Sequence, residues 1–159
     1  MNTLLVARLI AGRTLRRTAL VLGLCAAALG SLAVTTPARA SDAQFQGHWF
    51  NLDPSTRDLV RTTIGGSPGS LVVDPFGACS PSACEWGWQP LTTYGNNVSD
   101  PDHHAGTAIY DQGFARRIMT FQLLSPTLMS VDTYSLFTDG SGRQNYHTRE
   151  LFHKAMIIF

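Results

Sequence analysis

Phe114-Ala-Arg-Arg-Ile-Met-Thr-Phe-Gln-Leu-Leu-Ser-Pro-Thr-Leu-Met-Ser-Val-Asp-Thr-Tyr-Ser-Leu-Phe137 is the stretch on which the fold turns. Two runs of aromatic, β-branched and long apolar residues flank Ser125-Pro126. The proline, which cannot donate to a ladder, marks a turn between two strands. Within the first run Ala115, Met119, Phe121 and Leu123 share one parity, and Arg116, Thr120 and Gln122 lie mostly on the other. An extended chain with that alternation has one dry face and one wet face.

Outward from this pair, similar short runs recur between clusters of Gly, Pro, Asn and Asp, and no helical period of ten or more residues appears after Ser41. The runs predict strands over 44–52, 58–65, 70–77, 86–94, 105–111, 114–124, 127–137 and 143–153. Eight strands joined by short turns predict an all-β antiparallel meander, and an eight-stranded barrel is favoured over a β-sandwich because closure removes the sheet edges. In the last run neither parity is cleanly apolar, which fits a strand lining a polar interior or an edge. The closing Ala155-Met-Ile-Ile-Phe159 is apolar enough to continue a strand into the core.

The first forty residues have another character. Arg8, Arg13, Arg16 and Arg17 precede the apolar run Thr18 to Val34, which ends in Ala38-Arg39-Ala40. This is the pattern of a cleaved signal peptide, with residues 41–159 as one all-β domain in a secreted or periplasmic location. Five of the twelve basic residues fall in the leader and all eleven acidic residues after it, so the remainder carries a net charge of −4. Such a balance offers no footprint for nucleic acid and no stable membrane insertion after processing. It leaves the oligomeric state open.

Cys79 and Cys84 stand five positions apart in Cys-Ser-Pro-Ser-Ala-Cys. In an oxidising compartment this spacing predicts a disulfide closing a short loop. Zinc is the rival reading, but a second paired cluster of ligands is missing.

Phe45-Gln-Gly-His-Trp-Phe-Asn-Leu-Asp-Pro-Ser-Thr-Arg57 and Val73-Asp-Pro-Phe-Gly-Ala-Cys-Ser-Pro-Ser-Ala-Cys-Glu-Trp-Gly87 resemble an uncharacterised family of small secreted bacterial β modules. Trp49, Asn51, Asp53, Arg57, Phe76, Gly77 and Gly87 carry that resemblance, which implies fold and export rather than an activity. Gly47-His48-Trp49 in a first strand is also similar to the opening of lipocalin and avidin-like barrels, where the tryptophan closes one barrel end.

Chemistry is sparser. Trp86, Trp88 and Tyr94 cluster after the second cysteine, and the shared parity of the two tryptophans would place both rings on one strand face, a platform for a sugar or an apolar ligand. Asp53-Pro54-Ser55-Thr56-Arg57 reads as a capped turn before it reads as a carboxylate-guanidinium site. Asp100, Asp102, His103 and His104 are metal-ligand types in one loop, and a solvated connector accounts for them more simply. The string Gly65-Gly-Ser-Pro-Gly69 has the letters Gly-x-Ser-x-Gly but reads as a turn joining two strands, not as the strand-to-helix elbow of a hydrolase, and a disulfide leaves no thiol nucleophile. The reading is therefore a binding module without a cofactor, for a small ligand, glycan or protein. Its rivals are a small hydrolase using loop carboxylates or a metal, and a structural or inhibitory partner of another secreted protein.

Overall fold

The computed structural model describes residues 41–155. The leader read over 1–40 and the tail residues 156–159 lie outside the described residues. A single 3-10 turn, Ala43–Phe45, leads into β1 (Gly47–Asn51), β2 (Leu59–Ser67), β3 (Ser70–Gly77), β4 (Cys84–Glu85), β5 (Gln89–Tyr94), β6 (Ala105–Asp111), β7 (Ala115–Ser125), β8 (Leu128–Phe137) and β9 (Tyr146–Lys154). Among the described residues, no helix is long and apolar enough to cross a membrane.

Each strand pairs antiparallel with the next, β4 being a two-residue spur on β3. β9 returns to pair with β1, Trp49 opposite Lys154 and Asn51 opposite Phe152. The pairings β1–β2, β2–β3, β3–β5 and onward to β9 form a ring of eight strands, so the meander closes as a barrel and the sandwich alternative falls. The strands expected over 105–111, 114–124 and 127–137 are present within a residue or two. Two expectations are corrected. The run 44–52 begins as a 3-10 turn, and the run 86–94 is interrupted, because residues 86–88 leave the ladder between β4 and β5.

Alternation sorts the interior into rows across the paired strands. Gly106, Phe121, Val131 and Glu150 are mutually opposite, as are Ala108, Met119, Thr133 and Thr148 in the next row, and Tyr110, Arg117, Ser135 and Tyr146 in the row beyond. Directly opposed residues share a face, and Phe121, Val131, Met119 and Tyr110 are buried. The rows are therefore inward, and β9 lines a polar interior rather than an edge.

The two barrel ends differ. At one, Phe45 and Trp49 are fully buried, Trp49 Nε1 donates to the Phe45 carbonyl at 2.7 Å, and Lys154 Nζ sits 4.8 Å above the indole centroid. That plug, with Ile64, Leu71, Leu91, Leu123, Met129 and Phe152, forms the apolar core. At the other end stand the β1–β2 loop, the loop held by Cys79 and Cys84, the Gln112–Phe114 turn and the 138–145 loop. Here the inward residues become polar.

Candidate functional site

Arg117 heads the polar end. It lies on the same parity as Ala115 and Met119, so strand geometry aims its side chain inward, and the residue is 8 % exposed. Its guanidinium carbon lies 4.4 Å from the centre of the Trp86 ring and 5.4 Å from that of Phe114. Rings at these distances favour a cation through their quadrupoles. They supply no acceptor, and Arg117 Nε and Nη1 have no hydrogen-bond partner among the described residues. Six buried side-chain polar atoms are unpartnered in this way. Five of them, Gln112 Oε1, Arg117 Nε and Nη1, Thr133 Oγ1 and Ser135 Oγ, belong to the β6–β7 turn, β7 and β8. Ser135 is directly opposite Arg117, and Thr133 is one inward step along β8.

Beside these rows a recess of about 480 Å3 opens between the β1–β2 loop and β9, with Thr56, Arg57, Asp58, Tyr146, Thr148 and Glu150 in its wall. Register ties the two together, since Tyr146 is the partner of Ser135 and Thr148 the partner of Thr133. The wall is rigidly held. Glu150 accepts from the Thr56 hydroxyl, from Asn51 Nδ2 at 2.9 Å and from the Leu59 amide at 3.2 Å. Burial pushes the Glu150 carboxyl above its ordinary range, against the lowering effect of those donors. Asn51 also donates to the Leu59 carbonyl at 2.7 Å and accepts the Asp53 amide at 2.8 Å. Asp58 accepts from Thr148 at 2.7 Å.

Apart from Trp49, which plugs the other end, the residues that carried the resemblance build this end. Phe76 lies under the Arg61 guanidinium at 4.1 Å. Gly77 gives room to Trp86, whose Nε1 would sit 2.9 Å from any Cβ placed there. Gly87, at φ +86°, turns the chain after Trp86 and donates its amide to Asp74 at 3.1 Å. Burial, and then the neighbouring Glu85 charge, raise the Asp74 carboxyl above its ordinary value. The Cys79–Cys84 disulfide, with Cα atoms 5.5 Å apart, closes the loop that carries this segment back to the sheet. Asp53 accepts from the Ser55 amide and hydroxyl at 2.9 and 2.7 Å, the capped turn its sequence suggests, while Arg57 reaches the recess wall.

The aromatic trio is distributed rather than gathered. Because the chain leaves the ladder at 86–88, the parity argument for a common face does not apply: Trp86 packs edge-on against Tyr110 inside the barrel, centroids 5.8 Å apart. Trp88 is 50 % exposed and lies over Gly65 on the outer wall. Tyr94 is 45 % exposed at the far end of β5, its hydroxyl 2.9 Å from Thr107 Oγ1.

In the 96–104 loop Asp100 accepts the Asn96 and Asp102 amides, His104 contacts Asn96 Oδ1 at 2.8 Å and the Asp102 carbonyl at 3.1 Å, and His103 contacts Thr93 Oγ1 at 2.8 Å. These contacts hold the loop together. Among the described residues, no group of three or more His, Cys, Asp or Glu side chains is placed to hold a metal ion.

Arg117 was absent from the sequence-derived candidates although its signal was present. A charged residue on the dry parity of a strand is an anomaly that alternation alone exposes. On the outer wall, Asp132 binds His147 Nε2 at 2.6 Å and Arg149 Nε at 2.8 Å, with His147 stacked on Tyr134. Burial raises the Asp132 carboxyl, but these bonds and the neighbouring positive charge outweigh it and hold the group below its ordinary value. No family model, curated protein or solved structure matches the chain.

Proposed function

We propose that this protein is an exported small-ligand-binding barrel, closed at the Trp49 end and receiving its ligand at the polar end around Arg117. The observation that carries the reading is the placement of five unpartnered buried polar atoms at one barrel end, next to an open recess. Buried donors and acceptors without partners cost stability and are rare in folded proteins. Their concentration at one mouth is what a site for a polar ligand group requires, and small-molecule sites favour barrel mouths with a few convergent polar groups. Export is supported by the leader pattern and by the disulfide, a bond that persists in oxidising compartments.

Trp86 supplies a reporter, since its ring faces Tyr110 and Arg117. Titrating the purified protein with neutral and charged small aromatic and aliphatic probes and with short glycans, while following tryptophan emission, tests the reading. A saturable change that Trp86→Phe abolishes and Trp88→Phe retains is expected. No saturable change with any probe, or one that follows Trp88 instead, refutes a site inside the mouth.

A further inference from the structure

We infer that the ligand of this mouth is a small organic carboxylate whose anionic end is held by Arg117 and whose apolar body lies among the mouth aromatics; this rests on the reading of the mouth as a ligand site.

The charge at the site sets the sign. Arg117 is more than nine-tenths buried, and no carboxylate lies within salt-bridge distance of it among the described residues. Of the acidic groups in the recess wall, Asp53 binds Ser55, Asp58 binds Thr148, and Glu150 binds the Thr56, Asn51 and Leu59 donors instead. Burying a cation without a counter-charge is costly, so the side chain is poised for an anion.

The free atoms specify its shape. None of the Arg117 nitrogens donates to a described residue, so Nε–H and the Nη2–H beside it are free as the side-on fork that donates to the two oxygens of a carboxylate, and the unpartnered hydroxyls of Ser135 and Thr133 stand on the adjacent strand as further donors. Gln112 Oε1, an acceptor, would repel the anion, but its amide nitrogen provides a donor on the same side chain. The flanking groups specify the body. Trp86 and Phe114 present their rings to the guanidinium, Tyr110 stands directly opposite Arg117 in the sheet and edge-on to Trp86, and the Tyr110 hydroxyl is already engaged with the Val73 carbonyl at 2.7 Å. They offer an attached group apolar contact rather than hydrogen bonds, which suits an aromatic or short aliphatic acid better than a bare inorganic anion.

The test compares benzoate and octanoate with their uncharged counterparts, benzamide and octanamide, and with inorganic phosphate, by calorimetry and tryptophan emission on the native protein and on Arg117→Met and Arg117→Lys. The expected result is saturable binding of a carboxylate, at least about 30-fold tighter than its amide. Arg117→Met abolishes that preference, and Arg117→Lys retains part of it because the charge survives without the fork. Unchanged circular dichroism of both variants separates loss of binding from loss of fold. If amides bind as tightly as acids, the mouth remains a ligand site and the carboxylate assignment falls. If phosphate competes with equal strength, the apolar body falls. If nothing binds, the parent reading falls with it.

Discussion

Replacing Arg117 by Met separates a residue kept for a ligand from one kept for the fold. Met preserves most of the unbranched stem and deletes the guanidinium, with its buried charge and its contact with the Trp86 ring. Each buried donor without a partner costs about 1–3 kcal/mol, and Arg117 has two. The ring contacts at 4.4 and 5.4 Å return about 1–2 kcal/mol. The balance spans about 0–5 kcal/mol in favour of Met, with its middle at roughly 2 kcal/mol, in line with replacements of poorly compensated buried ions by apolar residues. For a domain of this size that is a rise in Tm of about 4–10 °C. Urea unfolding without ligand, followed by circular dichroism so that the altered surroundings of Trp86 do not distort the signal, gives the midpoint and slope. A higher midpoint at unchanged slope is expected. A fall in stability of more than about 1 kcal/mol would falsify the reasoning, since it would make Arg117 a structural clamp between Trp86 and Phe114 whose stability contribution exceeds its desolvation cost.

Asp74, 2 % exposed and with its carboxyl raised by burial and by Glu85, binds its proton more tightly in the folded protein than in the unfolded chain. Its contribution is therefore fullest below the unfolded value of about 3.9 and is lost as pH rises through the raised folded value. Asp74→Asn should remove that slope and raise stability at pH 7 by about 1 kcal/mol, the amide donating to Glu85; thermal melts from pH 3 to 8 decide, and an unchanged slope counts against the pair. Glu150→Ala, which deprives Thr56, Asn51 and Leu59 of their common acceptor, should cost about 2–4 kcal/mol in urea unfolding; a change below 0.5 kcal/mol, roughly the scale of a surface substitution, would show that this network does not hold the recess wall. Cys79→Ala with Cys84→Ala should cost roughly 2 kcal/mol by the loop-entropy relation while the β-type circular dichroism spectrum persists; loss of the spectrum would show that the barrel needs the link.

The fold was legible where alternation was strong. From Ala115 to Phe137 the parity of Met119, Phe121 and Leu123 and the proline turn determine two strands, their register and the buried face. It was less legible around Trp86 because parity presumes a continuous ladder. The positive φ of Gly87 and the two-residue β4 break that ladder, sending Trp86 inside and leaving Trp88 outside. The polar mouth was half visible. Thr148 and Glu150 hinted at a wet interior, but only closure of β9 onto β1 makes that face a lumen, and closure is a pairing between residues about a hundred positions apart. Local propensity does not encode such a contact.

The side-chain Nε–H signal of Arg117 in a 1H–15N correlation spectrum reads the site most directly. Benzoate or octanoate is expected to shift this resonance in saturable fashion, as a charge-assisted bond forms at that nitrogen, whereas benzamide or octanamide leaves it in place. A resonance that stays fixed with every carboxylate, or moves equally with the amides, would contradict the carboxylate assignment.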